Sequence, residues 1–203
     1  MNKNRRKIPP KKFVRQNFGY VVIENKIITD GTICLRAVDL KDIEMIRIWR
    51  NAQMGILRQK QKITRNMQRQ YFETEVWPEK NNSQPRQVLL AIDRLGILIG
   101  YGGLVHISWL DRRAEVSFLL NPLIANDEKL YSQIFVSCLE FLKKIAFNQL
   151  KIHKIWTETY NIRSYHIAAL EAAGFEREGV LRDHNWIDGQ PVDSVFHASI
   201  NNI

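Results

Sequence analysis

Two stretches of the chain hold side chains that can move protons. Glu115 lies in the first, and Glu158, Tyr165 and His166 lie in the second. A carboxylate can take a proton directly or through one water, and a histidine can return one near neutral pH. Each also has a structural interpretation: a solvated strand glutamate, a carboxylate paired with Arg113 or another base, or a packed, hydrogen-bonded helix histidine. These residue types permit acid–base chemistry without fixing the reaction.

The cysteines and the hydropathy pattern exclude several classes of protein. Cys34 and Cys138 are far apart and form no C-x-x-C pair, so the sequence predicts neither a disulfide framework nor a zinc site or other metal site. The N-terminus lacks the apolar stretch of a signal peptide, and no run approaches the ~18 apolar residues that would span a bilayer. These patterns favour a cytoplasmic protein without a membrane span.

The positive charge is concentrated at the N-terminus. Residues 1–17 carry seven Lys and Arg side chains, and the first acidic residue is Glu24. Removing those seven from the net charge of +9 leaves about +2 for the rest of the chain. We interpret residues 1–17 as a flexible basic arm and residues 18–203 as one domain. Such an arm is more typical of a solvated segment than of a nucleic-acid reader.

Periodicity and turn residues predict the elements that must position these side chains. A helix capped by Asp39 and a second capped by Thr64, ending before Pro78, precede a meander of strands. A long helix capped by Asn126 or Asp127 follows, and a short helix over residues 163–173 stops at Gly174. The predicted strands are 20–23, 27–28 (paired as a hairpin), 32–38, 87–93, 97–108, 114–120, 152–159, 175–180 and 192–200. The fold class is therefore α/β: one three-layer domain with a mixed sheet and helices on both faces.

Three ordered segments near the C-terminus carry a family resemblance. Residues 172–183 read A-A-G-F-E-R-E-G-V-L-R-D, residues 188–194 read D-G-Q-P-V-D-S, and residues 150–155 read L-K-I-H-K-I. Together with L-R-A-V at 35–38 and Asp42, they resemble the GNAT superfamily of N-acetyltransferases, nearest the ribosomal-protein alanine N-acetyltransferase branch. The resemblance covers about residues 32–200. It implies a mostly antiparallel, splayed sheet whose strands 114–120 and 152–160 separate to admit the pantetheine arm of acetyl-CoA.

The resemblance implies direct acetyl transfer from acetyl-CoA to a primary amine. An alkylammonium of pKa ~10 must first lose its proton, and Glu158 is the predicted base. The tyrosine acid of many relatives is replaced by Leu170, so His166 and Tyr165 are the predicted donors to the departing thiolate. A backbone N–H near 118–120 is expected to polarise the thioester carbonyl.

The predicted acetyl-CoA contacts include one departure from the family pattern. The usual glycine-rich loop that holds pyrophosphate is absent, since no glycine occurs between Gly103 and Gly174, and the segment is about five residues longer. Either the long helix starts a turn early and still offers groups to phosphate, or the protein is a non-catalytic relative. The predicted co-substrate contacts are Val116, Phe118, Leu119, Leu120, Lys129, Leu130, Ser132, Gln133 and Arg163.

The acceptor site is expected near the first two helices. Trp49-Arg50-Asn51, followed by a polar loop, is similar to GNAT enzymes that acetylate nucleotide-linked amino sugars. Arg50 and Arg58 are the predicted phosphate contacts, Trp49 the predicted base-stacking group, and Glu115 a further contact. The preferred acceptor is therefore a nucleotide-linked amino sugar; a protein N-terminus, a polyamine or an antibiotic remain alternatives, as does an RNA-binding relative that uses the basic arm. A homodimer is the commonest soluble assembly.

Overall fold

A computed structural model describes residues 19–202 of the chain. The strands are β1 Ile27–Thr29, β2 Ile33–Ala37, β3 Val88–Arg94, β4 Ile97–Ser108, β5 Arg113–Leu120, β6 Lys154–Tyr160, β7 Glu176–Ile187 and β8 Gln190–Ile200. The α-helices are α1 Ile43–Ala52, α2 Arg65–Tyr71, α3 Pro122–Ala125, α4 Glu128–Lys143 and α5 Ser164–Ala172. Two π-helical turns, Phe72–Val76 and Lys144–Gln149, extend α2 and α4, and short 3-10 turns lie at Met54–Ile56 and Pro78–Asn81.

All eight strands form one sheet in the order β1-β2-β3-β4-β5-β6-β8-β7. Every neighbouring pair is antiparallel except β5 and β6, which run parallel. That parallel pairing covers only three residue pairs, from Arg113 opposite Lys154 to Glu115 opposite Trp156. Beyond it the two strands separate, so the predicted splayed, mostly antiparallel sheet is confirmed.

Helices cover both faces of the sheet, as the sequence predicted. On one face, α4 and α5 bury a large cluster that includes Phe135, Leu139 and Leu170. On the other, α1 and the turn after α2 bury a smaller cluster around Ile46 and Phe72. Because β5 alternates its side chains between the two faces, it belongs to both clusters and links the two halves of the core.

A close approach of backbones explains the Gly102-Gly103 pair in β4. Gly103 has a φ of 141°, and a Cβ built there would lie 2.0 Å from the carbonyl oxygen of Val88. At Gly102 the same atom would lie 2.4 Å from the carbonyl oxygen of Ser117. Side chains at these positions would push β3 and β5 away from β4, the strand that joins them.

The first predicted hairpin is wrong. Residues 20–23 form a turn, and β1 pairs with β2 instead, from Ile27 opposite Arg36 to Thr29 opposite Cys34. The intervening turn is favoured because the Asp30 carboxylate accepts hydrogen bonds from the backbone N–H groups of residues 32 and 33, and Gly31 adopts a φ of 91°. The apolar run at residues 20–23 predicted a strand, but it forms a turn that places Tyr20 and Ile23 in the core.

The helix boundaries are mostly as predicted. Thr64 and Asp127 cap α2 and α4 by accepting bonds from backbone N–H groups three residues on, and Gly174 follows α5 with a φ of 74°. The predicted cap Asp39 is wrong: α1 begins at Ile43, and Asp42 occupies the cap position. The Asp42 carboxylate is bound there by Arg36 at 2.7 and 2.9 Å, which explains why both residues belong to the family pattern.

The described helices include none that is both long and apolar enough to cross a bilayer. The predicted basic arm, residues 1–17, lies outside the described residues.

Candidate functional site

The separation of β5 and β6 opens a cleft through the middle of the sheet. Strand residues beyond the last parallel pair line it, together with α4, α5 and the loop after α1. The lining residues are Ile56, Leu57, Arg58, Val105, Glu115, Val116, Ser117, Phe118, Phe135, Thr157, Glu158, Thr159, Tyr160, Arg163 and His166. Two of the predicted catalytic residues, Glu158 and His166, therefore border the same cleft.

The edge of β5 presents backbone groups to this cleft. The N–H of Asn121 bonds the carbonyl of Ile99 in β4 at 2.8 Å. Because bonding directions alternate along a strand, the N–H groups of Leu120, Phe118 and Val116 point away from β4. They face the gap where β6 has separated, as the predicted carbonyl donor requires.

Two carboxylates from the separating strands lie on the α1 side of the cleft. Glu115 of β5 and Glu158 of β6 have side chains only 3% and 11% exposed. The Arg58 guanidinium forms an ion pair with Glu115 through Nη2 and lies 3.7 Å from Glu158 Oε2 through Nη1. Burying carboxylates is costly unless a cation compensates them, and Arg58 provides that cation.

Hydrogen bonds from neighbouring residues orient both carboxylates. Ser194 of β8 donates its hydroxyl to Glu158 Oε1 at 2.6 Å, and Asn185 of β7 donates to Ser194 at 2.7 Å. His106 Nδ1 lies 2.7 Å from Glu115 Oε2. Glu158 therefore keeps Oε2 directed toward the cation position, and the solvated strand glutamate that the sequence left open does not describe it.

His166 lies on the opposite side of the cleft, within an aromatic cluster. Its Nδ1 is 2.6 Å from the hydroxyl of Tyr131, which accepts a bond from Arg163 Nη2 at 3.0 Å. When Tyr131 donates its own proton to Nδ1, the neutral ring carries its proton on Nε2. Its ring also stacks on Phe135 at 4.4 Å.

Burial controls the titration of this cluster. Desolvation, reinforced by the charge of Arg163 and by His197, lowers the pKa of His166 well below its usual value. Desolvation likewise raises the pKa of the Tyr131 phenol above its usual value, against the opposing effect of Arg163. At neutral pH the pair is uncharged, and His166 can donate a hydrogen bond from Nε2.

Tyr165 takes a different place from the one predicted. Its ring packs edge-on against Tyr131, with centroids 5.0 Å apart, and it is not among the residues that line the cleft. The structure thus associates it with the support of Tyr131 rather than with the reacting groups.

Trp49, Arg50 and Asn51 position the loop that carries Arg58. Trp49 is 4% exposed in the core, so the predicted stacking on a nucleobase does not fit its burial. Arg50 donates to Tyr101 at 2.6 Å and to Gln59 at 3.0 Å. The Asn51 amide bonds both backbone groups of Ile63 and the Gln59 side chain.

The family model described as an acetyltransferase (GNAT) domain matches residues 35–196, which include both separating strands and the cleft. The chain belongs to the GNAT acetyltransferases. It is therefore an acetyl-CoA-dependent N-acetyltransferase, in agreement with the resemblance of its sequence, and acetyl-CoA is its co-substrate.

Solved structures show the same GNAT fold. A spermidine N-acetyltransferase of Vibrio cholerae in complex with CoA and spermine has a TM-score of 0.72 and 18% identity, covering 84% of this chain and 96% of that one. A structure described as a probable acetyltransferase has a TM-score of 0.69 and 18% identity, covering 86% and 97%. No curated protein sequence matches the chain. At these identities the structural likeness establishes the fold alone.

The cleft of this GNAT enzyme fits a pantetheine arm. Thr159 Oγ1 and Arg163 Nε are buried without a hydrogen-bond partner among the described residues, and both residues line the cleft. Buried polar atoms are normally satisfied, so an extended ligand with amide groups would complete them. The backbone edge from Val116 to Leu120 faces the same space, although the side chain of Leu119 packs on the opposite face, near α1.

The predicted pyrophosphate contacts are arranged around the start of α4. The Asp127 carboxylate already accepts from the N–H of Leu130 at 3.0 Å, and Ser132 donates its hydroxyl to the carbonyl of Glu128 at 2.7 Å. Lys129 and Gln133 are exposed on the first turns. The longer segment forms α3, a separate short helix, so α4 is not simply extended by a turn.

Several site residues were not identified from the sequence. Tyr131 falls one helical turn before Ile134, on the apolar stripe of α4, and this spacing was the only available signal. Ser194, Asn185 and His106 come from other strands, and no local pattern indicates their contact with the two carboxylates.

Proposed function

We propose that this enzyme acetylates a primary amine that binds as a cation between Glu115 and Glu158, with Glu158 as the general base. The observation that carries the proposal is the pair of buried carboxylates at the mouth of the cleft, already compensated by a guanidinium. A protonated amine carries the positive charge that the two carboxylates, Glu115 and Glu158, need as a partner.

The side chains divide the chemistry between them. Glu158 Oε2 takes the proton of the ammonium, directly or through one water, while Ser194 holds Oε1. Acetyl-CoA supplies the thioester. The N–H groups of β5 that face the cleft are positioned to polarise its carbonyl. The second proton, which the attacking nitrogen loses as the amide forms, passes to the departing thiolate, and His166 Nε2–H stabilises that thiolate by a hydrogen bond. Among the predicted acetyl-CoA contacts, Lys129, Gln133 and Arg163 remain part of the proposal.

A nucleotide-linked amino sugar, the acceptor first expected, receives less support. Its diphosphate needs free cations, whereas Arg50 is bonded to Tyr101 and Gln59, and Arg58 is paired with Glu115. A protein N-terminus is also a protonated amine and satisfies the charge requirement. The spermine bound to the Vibrio cholerae enzyme belongs to the same cationic class as the acceptor proposed here.

Acceptor turnover tests the proposal. Thiol release from acetyl-CoA is measured with spermidine, a uridine-diphosphate amino sugar and an alanine-initiated peptide. We expect spermidine to be preferred, and Glu158→Gln to lower kcat by roughly 10²–10⁴-fold at pH 7 but less at pH 10, where the amine loses its proton unaided.

The matched control is Glu178→Gln, which removes a carboxylate of β7 that pairs with Lys154 away from the cleft. It should leave kcat and KM unchanged. Preference for the amino sugar would overturn the cationic acceptor, and a Glu158→Gln variant with normal kcat at pH 7 would remove Glu158 as the base.

A further inference from the structure

Arg58 occupies the position that the acceptor ammonium needs. Its guanidinium bridges Glu115 and Glu158, and Leu57 and Ile56 from the same loop line the cleft beside it. An acceptor amine that reaches Glu158 must therefore share this space with Arg58 or exchange with it.

The structure of the loop favours exchange. The Arg58 side chain is 53% exposed, while the two carboxylates are almost fully buried. The loop is secured on both sides of Arg58, since Gln53 donates to the carbonyl of Leu120 at 2.8 Å and Asn51 binds Ile63. Arg58 can therefore swing outward into solvent while the loop remains attached to α1 and β5.

The charge balance of the reaction adds a second constraint. Before transfer, an acceptor ammonium compensates Glu158; once Glu158 has taken its proton, that amine is neutral. Glu115 then still needs a cation, because a buried carboxylate without one is strongly unfavourable. Glu115 contacts His106 Nδ1, which is a cation only when the ring is protonated. Its permanent positive partner is therefore either Arg58 or a second positive charge on the acceptor.

We propose that Arg58 is an internal placeholder for the second ammonium of a diamine acceptor. A diamine places its reacting amine at Glu158 and its other ammonium at Glu115, and so displaces Arg58 from both carboxylates. A monoamine reaches Glu158 only, and depends on Arg58 to compensate Glu115. The inference rests on the proposed function and defines its acceptor class as diamines and longer polyamines.

Arg58→Gln separates the two kinds of acceptor, for which butane-diamine (amines at both ends) and butylamine are the probes. The steady-state KM for the diamine should fall about 3–10-fold in the variant, because no internal cation competes. The KM for butylamine should change by less than about twofold, because one ammonium cannot compensate both of the carboxylates that Arg58 leaves. Lys60→Gln, which removes an exposed cation two residues away, controls for net charge and should change neither KM.

Two further measurements control for the loss of charge and for misfolding. Arg58→Lys keeps a cation on the loop and should show butylamine KM values near those of the native enzyme, with the folded state checked by thermal unfolding. In the native enzyme, the diamine should have a KM at least tenfold below that for butylamine. Equal KM values there, or an Arg58→Gln variant that lowers the KM for both acceptors equally, would overturn the placeholder.

Calorimetric binding distinguishes this inference from the proposed function. Loss of turnover in Glu158→Gln, with the diamine still bound more tightly than butylamine through Glu115, supports both. Normal turnover in Glu158→Gln, combined with a fall in KM that is specific to the diamine in Arg58→Gln, rejects the base and retains the placeholder.

Discussion

Two residues of α4 contact His166 directly, and Arg163, at the start of α5, supports one of them. Tyr131 of α4 donates to its Nδ1, Phe135 stacks on its ring, and Arg163 approaches the same phenol from the start of α5. A protonated imidazole would bring a second positive charge close to Arg163 in a space that excludes water. Of the two interpretations that the sequence left open, this geometry favours the packed, hydrogen-bonded histidine, which can still donate a hydrogen bond to a thiolate.

This geometry predicts a pH-dependent stability. The folded pKa of His166 lies below the value of about 6.5 that the unfolded chain has, so the unfolded state binds more protons below that pH. Its contribution to stability is full above pH ~7 and decreases by up to about 1.4 kcal/mol per unit as the pH falls below 6.5. Urea unfolding at pH 7.5 and pH 5 measures it.

His166→Gln should lose stability at pH 7.5 yet show a smaller decrease between pH 7.5 and pH 5 than the native chain. The exposed His184 of β7 supplies the control: His184→Gln should preserve the native decrease. If His166→Gln retained the full decrease, another group would have to cause it.

At the scale of elements, the loop between α1 and α2 depends on one side chain. The Asn51 amide accepts from Gln59 and from the N–H of Ile63 at 2.9 and 2.8 Å, and donates to the carbonyl of Ile63 at 2.9 Å. Three bonds from a single asparagine thus fix the end of the loop that carries Arg58.

Asn51→Ala should therefore weaken acceptor binding more than catalysis. We expect the KM for the amine to rise several-fold with kcat largely retained, and the free energy of unfolding to fall by about 1–3 kcal/mol because buried groups of the loop lose their partners. Steady-state kinetics and urea unfolding measure the two effects. As a control, Asn66→Ala on the exposed surface of α2 should change neither KM nor stability. An Asn51→Ala variant with reduced stability but unaltered KM would show that the loop does not position the acceptor.

Local signals explain which elements were predictable. The caps at Thr64 and Asp127 depend on side-chain bonds to N–H groups three residues away, and the sequence predicts both correctly. Asp39 has the same residue type but does not cap α1. Arg36 of β2 binds the carboxylate of Asp42 at the cap position instead, and no local sequence pattern indicates this bond. The turn at Gly31 likewise places the first hairpin between β1 and β2 rather than at residues 20–28.

The candidate site was predictable to a similar extent. Glu158 and His166 were placed on the correct strand and helix, since their elements carry strong periodic patterns. The Arg58 pairing with Glu115 spans 57 residues of sequence, and nothing in the spacing of either residue indicates it.

At the scale of the whole molecule, the basic N-terminus is separate in sequence from the catalytic domain. Removal of residues 1–17 takes away seven positive charges and leaves in place every described residue that lines the cleft. We expect kcat/KM for the amine to be unchanged by this truncation. Any nucleic-acid affinity of the full chain should decrease steeply with salt and be lost in the truncated chain. Filter binding at two salt concentrations would measure both effects. A truncated enzyme with impaired turnover would instead assign the segment a role in catalysis.

Because β5 and β6 pair over only three residues, β5 has an unpaired edge in the middle of the sheet. Exposed strand edges are an aggregation hazard, which proteins normally reduce with charges, bulges or short strands at the periphery. Here the unpaired edge of β5 lies inside the sheet, with helices on both faces, rather than at its periphery. The enzyme can therefore keep open backbone donors available for a small extended ligand without offering them to a second polypeptide chain.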